Sequence, residues 1–185
     1  MARSGRLARW GQSLRQQWKN HLLTLLMVCG VLYGVQAWQT RDVPAGAAPE
    51  LAFSLLQPDG SRTQTTLAQW REQHPGQPVA LHVWAEWCPI CRAEEDSVTR
   101  LAGDWPVLTV AMQSGPAEQV AGVLARRELP WATAIDARGA IARELGFKAV
   151  PAFVVVDANG QLRSATVGYT SEIGMRLRLW WARLF

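Results

Sequence analysis

Cysteine is scarce here: Cys29, Cys88 and Cys91 are the only three in 185 residues. A structural zinc site takes four ligands, and no Cys/His cluster completes one. Arg92, not histidine, follows the second cysteine of the close pair, which argues against covalent haem attachment. Acid is missing from the whole N-terminal stretch, where Asp42 is the first carboxylate. Internal repeats and low-complexity tracts are missing too. Residues 51–185 therefore read as one domain with one core.

What is present is Trp87-Cys88-Pro89-Ile90-Cys91. An apolar, strand-like run, 79–85, leads into the first cysteine, and a helix-like run, 92–102, follows the second. Cys88 then sits at the first turn of a helix. Unpaired N–H groups and the helix dipole favour a thiolate there, and a thiolate is the nucleophile of disulfide exchange. Pro89 suits that turn because its missing N–H costs nothing. Cys91 lies one turn on, within reach of an intramolecular Cys88–Cys91 disulfide.

Residues 1–20 form a basic arm with Arg3, Arg6, Arg9, Arg15 and Lys19. Residues 21–38 are apolar, and the 17 residues from Leu22 to Trp38 give about 25 Å of helix, near the short end for a bilayer span. Trp18 and Trp38 bracket the run as interfacial aromatics would. The positive-inside rule keeps the basic end in the cytoplasm and exports the rest. A cleaved signal peptide, with a weak site at Val35-Gln36-Ala37, is the alternative to a retained anchor. Gly30 and Gly34 read as ordinary membrane-helix glycines and Cys29 as a buried apolar filler. With five of the 19 basic residues in the arm, 14 remain against 15 acids. The balance beyond the arm is near −1, so nothing points to nucleic acid.

Residues 39–50 read as a Pro/Gly/Ala linker. A hairpin is expected over 53–65, turning at Pro58-Asp59-Gly60, then a short helix capped by Thr66. Strands follow at 79–85, 107–111 and 131–135, with helices at 116–127 and 137–145. A second hairpin, 152–167, turns at Asn159-Gly160, and a last helix covers 171–184. Alternating strands and helices imply an α/β fold with a mixed sheet. On the last helix, Ile173, Leu177, Trp180 and Leu184 recur at helical spacing and read as its core face. Trp181 and the arginines around it could touch a membrane surface.

Residues 84–91, Val150-Pro151 and the final hairpin and helix resemble the thioredoxin fold. The added N-terminal hairpin and anchor resemble the TlpA/ResA/CcmG branch. Gly168-Tyr169-Thr170-Ser171 with residues 176–180 resembles the ScsD-like protein disulfide oxidoreductases. The resemblance implies Cys88 as the exposed attacking thiol and Cys91 as the sheltered resolving one. It implies a cis Pro151 beside the pair, with Val150 presented to a substrate strand and Trp87, Pro89 and Ile90 as contact surface. It places a glutamate at Glu94. Independently, helical periodicity sets Glu94 inside the apolar arc that runs from Cys91 through Val98, Leu101 and Ala102. Burial there would raise its pKa and suit it to accept the Cys91 proton; a solvated helix glutamate is the alternative. His82 departs from the branch. It stands under the cysteines, and as a base it would work near neutral pH without a shift.

The implied protein is a bacterial inner-membrane, single-pass thiol-disulfide oxidoreductase with a periplasmic domain. It needs no cofactor or metal. Its partners would be protein thiols and disulfides, with a membrane thiol-electron transporter as reductant. Cytochrome c maturation or copper stress is the expected context. The alternatives are an oxidase that introduces disulfides and a non-catalytic copper-binding module. No Met or His cluster accompanies the cysteines to favour the latter.

Overall fold

The computed structural model describes residues 4–184, with side chains described from Trp18 onward. Arg3, and the side chains of Arg6, Arg9 and Arg15, lie outside that range. Two units divide the chain, at Trp38/Gln39. The first is one helix, α1 (Ser4–Gln39). It begins well before residue 21 because Leu, Arg and Gln, good helix formers, dominate the basic arm. Its segment Trp18–Gln39 has a mean hydropathy of 1.5 over its best stretch and is long and apolar enough to cross a membrane.

Among its described residues the second unit holds eight strands and five helices. In order they are β1 (Gly46–Ala47), β2 (Ala52–Leu56), β3 (Arg62–Thr66), α2 (Leu67–Glu72), β4 (Val79–Trp84), α3 (Pro89–Asp104), β5 (Val107–Met112), α4 (Ala117–Arg126), β6 (Thr133–Asp136), α5 (Ala140–Glu144), β7 (Ala152–Val156), β8 (Gln161–Val167) and α6 (Glu172–Ala182). The strands form one sheet in the order β1-β8-β7-β4-β5-β6-β2-β3. β4, β5 and β6 run parallel, and the other pairings are antiparallel. The N-terminal hairpin, β2 with β3, extends the edge beyond β6. This is the mixed sheet flanked by helices that the sequence implied.

β4 is central and buried at every position, so its side chains alternate between two covered faces. Val79, Leu81 and Val83 enter one apolar layer, with Leu108 and Val154. Ala80 and Trp84 enter the other, with Cys88, Cys91, Val98 and Met175. His82 shares the face of Ala80 and Trp84, and so points toward the layer that holds α3 and the cysteines.

Thr66 caps α2 as expected, and Gln69 returns the bond to complete a capping box. Three features differ from the sequence reading. Residues 46–47, within the stretch read as linker, form β1, because the outer edge of β8 is open and accepts two residues of extended chain. Helix α5 starts at Ala140 rather than 137: Gly139 turns through the left-handed region, and the Asp136 carboxylate accepts the Ala142 N–H. The face of α6 is reversed. Met175, Leu179 and Ala182 are buried, whereas Ile173, Leu177, Trp180 and Leu184 are 71, 60, 55 and 56% exposed. Met175, Leu179 and Ala182 pack into the core layer, and ion pairs to α3 accompany this rotation. Arg176 reaches Asp104 at 2.7 Å, and Arg100 reaches Glu172 at 2.8 Å, tying α6 to α3 along a line between the two rows.

Candidate active site

Strand β4 ends at Trp84, and the chain turns directly into α3. Cys88 is the N-cap of that helix, with Pro89 in its first turn. Cys88 and Cys91 are joined in a disulfide, with Cα atoms 5.3 Å apart. The Cys91 N–H points at Cys88 Sγ from 3.1 Å. A helix-terminal N–H aimed at the sulfur favours its anionic form once the pair is reduced. The Val150 carbonyl oxygen faces the same sulfur from 3.8 Å. It follows that the 150–151 loop lies against the cysteine pair. The Val150–Pro151 peptide is cis, as the resemblance implied, and Pro151 brings no N–H to compete for the sulfur.

Exposure differs from expectation at Cys88, which is only 3% exposed against 2% for Cys91. The N-cap position, the disulfide and the Val150 loop together cover it. The exposed apolar groups are instead its neighbours Trp87 and Ile90, at 57 and 50%. Trp87 is held in place: its indole N–H donates to the Gln113 carbonyl at 3.2 Å. Gln113 is a non-glycine residue in the left-handed region, with φ 48°. Such a conformation costs about 1–3 kcal/mol and persists only where the surroundings enforce it. Ser114, beside it, is buried and accepts the Glu86 N–H at 2.9 Å. Arg127 donates to the Glu86 carbonyl and pairs with Glu95 at 2.7 Å. The turn that carries the cysteines is thus braced from the loop after β5 and from the end of α4. Sequence reasoning missed Gln113, Ser114 and Arg127, because no local pattern marks a long-range brace.

Glu94 is on α3 at position i+3 from Cys91, the same face of the helix. It is 1% exposed, so the buried reading of this carboxyl holds over the solvated one. One oxygen accepts the Thr170 backbone N–H; the other has no hydrogen-bond partner among the described residues. Burial pushes its pKa up to about 7, against the opposing pull of the Thr170 bond. Thr170 lies 76 residues from Glu94 in the chain, so no local pattern marks their contact.

His82 is also 1% exposed, and its Nε2 is 3.9 Å from Glu94 Oε2. That is beyond hydrogen-bond range. Neither ring nitrogen has a hydrogen-bond partner among the described residues. The Trp131 ring meets the His82 ring edge-on at 6.2 Å and the Trp84 ring at 5.6 Å. Burial pushes the His82 pKa down to about 4. A base of ordinary strength was expected at this position; the apolar cage explains why it is weaker. At neutral pH His82 is uncharged, and Glu94 is the group poised to gain or lose a proton.

The family model described as Redoxin matches residues 44–175. A thiol:disulfide interchange protein DsbE homolog of Paracoccus denitrificans is 31% identical over 134 residues, covering 70% of this chain and 74% of that one. A thioredoxin-like protein of Haemophilus influenzae is 29% identical over 109 residues, covering 58% of this chain; the match spans 65% of the Haemophilus protein's length. Among solved structures, a secreted thiol-disulfide isomerase from Corynebacterium glutamicum superposes with a TM-score of 0.64 at 17% identity, covering 75% of this chain and 86% of that one. At that identity the likeness establishes the thioredoxin-type fold alone.

Proposed function

We propose, from the premise that this chain belongs to the Redoxin family, that it reduces protein disulfides through Cys88 and Cys91. The protein is a thiol:disulfide oxidoreductase of the thioredoxin-like class. The finer reading is a reductase anchored in a bacterial inner membrane by Trp18–Gln39, with the arm cytoplasmic and residues 51–185 periplasmic. The observation that carries the exchange chemistry is the closed Cys88–Cys91 pair at the N-cap of α3, lying against the Val150 carbonyl.

The cycle balances as two electrons and two protons. The Cys88 thiolate attacks one sulfur of a substrate disulfide, and the other substrate sulfur leaves as a thiolate and takes a proton. Cys91 then loses its proton to the Glu94 carboxylate and attacks Cys88 Sγ. The second substrate thiol departs, and the Cys88–Cys91 disulfide closes. A membrane thiol-electron transporter returns two electrons and reopens the pair. Val150 and Pro151 line the side on which an extended substrate segment lies, and Trp87, Pro89 and Ile90 form the facing surface. The disulfides of apocytochrome c and of a soluble periplasmic disulfide isomerase linked to copper stress are the substrate classes this reading favours.

The test is capture. Cys91→Ser in the full chain should leave substrate disulfide-linked to Cys88, and Cys88→Ser/Cys91→Ser should leave none. A trap that stays empty in growing cells overturns the reading. Direction is read from the reduction potential. A value of about −270 mV, like thioredoxin's, supports reduction, and one of about −120 mV supports the oxidase alternative.

A further inference from the structure

Helix α6 is apolar on two opposite sides. At 3.6 residues per turn, Ile173, Leu177, Trp180 and Leu184 share one narrow stripe, with Trp181 at its border. Met175, Leu179 and Ala182 share a second stripe on the far side of the helix. The second row is fully used: all three residues are buried against the sheet and α3. The first row faces away from the domain and is more than half exposed at each position. A soluble helix carries one apolar stripe, and a contiguous exposed second one marks a contact surface.

The chemistry of that surface is specific. Its row ends in tryptophan and leucine, and arginines flank it. Arg176 is neutralised by Asp104 and Glu172. Arg183, at the border of this row, has no carboxylate partner among the described residues, whereas Arg178 turns toward the buried side and donates to the Gly174 carbonyl at 2.9 Å. Apolar residues with interfacial tryptophan, bordered by arginine that no carboxylate neutralises, match a helix lying in the headgroup region of an anionic bilayer. Chain length adds a second reason. The apolar span ends at Gln39, and Val43 is already packed on the domain's core. Four residues of chain reach about 14 Å at full extension. A domain of this size has a radius of gyration of about 15 Å, so the tether holds it within its own width of the bilayer and makes surface docking an intramolecular event.

We propose that the Ile173/Leu177/Trp180/Leu184 face of α6 docks on the anionic surface of the membrane into which this chain's own span inserts. This rests on the anchored topology proposed above. Docking fixes the orientation of the cysteine site relative to the membrane, which suits exchange with a reductant embedded there. Arg183 meets phosphate groups, and the tryptophan ring lies at the acyl boundary.

The experiment uses the full chain reconstituted in phosphatidylcholine vesicles containing phosphatidylglycerol brominated near the headgroup end of its acyl chains. Bromine quenches tryptophan within the bilayer. Trp180→Phe should lower the quenched fraction of emission by about one tenth, the share of one residue among ten tryptophans. Leu177→Asp, at an exposed position, should produce the same loss and open Trp180 to aqueous acrylamide, with an unchanged circular dichroism spectrum. Carrying the bromine on phosphatidylcholine instead and omitting phosphatidylglycerol should weaken the effect. A quenched fraction unaltered by Trp180→Phe overturns the proposal. So does a Trp180 shielded from both acrylamide and bromine, because a second copy or another protein would then cover the face. Failure of the anchor is distinguishable: the chain would wash off the vesicles in alkaline carbonate.

Discussion

His82 and Glu94 face each other inside the domain, with Nε2 and Oε2 3.9 Å apart and each side chain 1% exposed. They come from different elements, β4 and α3, and both belong to the layer that holds the cysteines. Burial acts on them in opposite senses. It disfavours the carboxylate and the imidazolium alike, so it raises one pKa to about 7 and lowers the other to about 4. Near pH 7 the carboxyl is about half protonated, beside an uncharged ring, so it can either give or take a proton.

Glu94→Gln should slow closure of the Cys88–Cys91 disulfide from a preformed mixed disulfide by about 100-fold, the lower range for loss of a general base. In the native protein that rate should rise with an inflection near pH 7, as Glu94 loses its proton and becomes the acceptor. The variant should lack this inflection and retain only the later rise from thiol ionisation. Single-turnover release of a fluorescent thiol across pH 5 to 9 measures both. An inflection retained in Glu94→Gln removes this carboxyl from proton transfer.

The same pair makes stability depend on pH in two directions. Glu94 has a raised folded pKa, so its contribution is fully present below 4.5 and is lost as pH rises toward and through 7. His82 has a depressed folded pKa; stability falls as pH drops from 6.5 to about 4, because the unfolded ring takes a proton that the folded ring refuses. Between 4.5 and 6.5 the two slopes oppose. His82→Leu should remove the acid-side loss, of at most about 1.4 kcal/mol per pH unit. It also deletes two buried ring nitrogens that lack hydrogen-bond partners among the described residues, so the variant should be more stable than the native protein at pH 5. Urea unfolding of the full chain in detergent, followed by tryptophan emission at pH 5 and 7, checks this. Equal native-minus-variant differences at the two pH values would contradict the assignment.

These two residues also show what the sequence could convey. Glu94 was legible because helical periodicity alone puts it in the arc of Val98 and Leu101. Its partner, the Thr170 N–H, was not, since a backbone bond across 76 residues leaves no local mark. The position of His82 was legible from the apolar run around it. Its weak basicity was not, because that depends on Trp84, Trp131 and α3 closing over it. Helix α6 gives the clearest limit. Both of its apolar rows satisfy helical spacing, and which row faces inward depends on long-range packing of Met175, Leu179 and Ala182 against the core, with ion pairs to α3 alongside. Strand β1 is two residues long and has no pattern at all.

Gly146 is a second place where backbone geometry governs. Its φ is +82°, and an added β-carbon would collide with the carbonyl of Asp42. Both the left-handed conformation and the close approach therefore require glycine. The contact secures residues 40–43 to the domain, with help from the Asp42–Lys148 pair. Gly146→Ala should destabilise the domain by more than about 1 kcal/mol, the usual cost of alanine where glycine is needed. It should also raise the rate of tryptic cleavage at Arg41 several-fold. Unaltered cleavage would show that this segment is held by other contacts.

Trp87 separates recognition from chemistry. Its ring is more than half exposed, yet its N–H is fixed to the Gln113 carbonyl. A rigid exposed indole presents apolar area to a partner with little ordering cost. The Cys88 sulfur, by contrast, is faced by the Cys91 N–H at the start of α3. Trp87→Ala should accordingly raise KM for a protein disulfide about tenfold, equivalent to about 1.4 kcal/mol of contact energy. The rate of reaction with a small disulfide such as oxidised glutathione should change less than twofold. If both rates fall together, Trp87 acts by holding the cysteine turn in place through Gln113, and the substrate-facing surface would have to be assigned to Ile90 and the Val150–Pro151 loop alone.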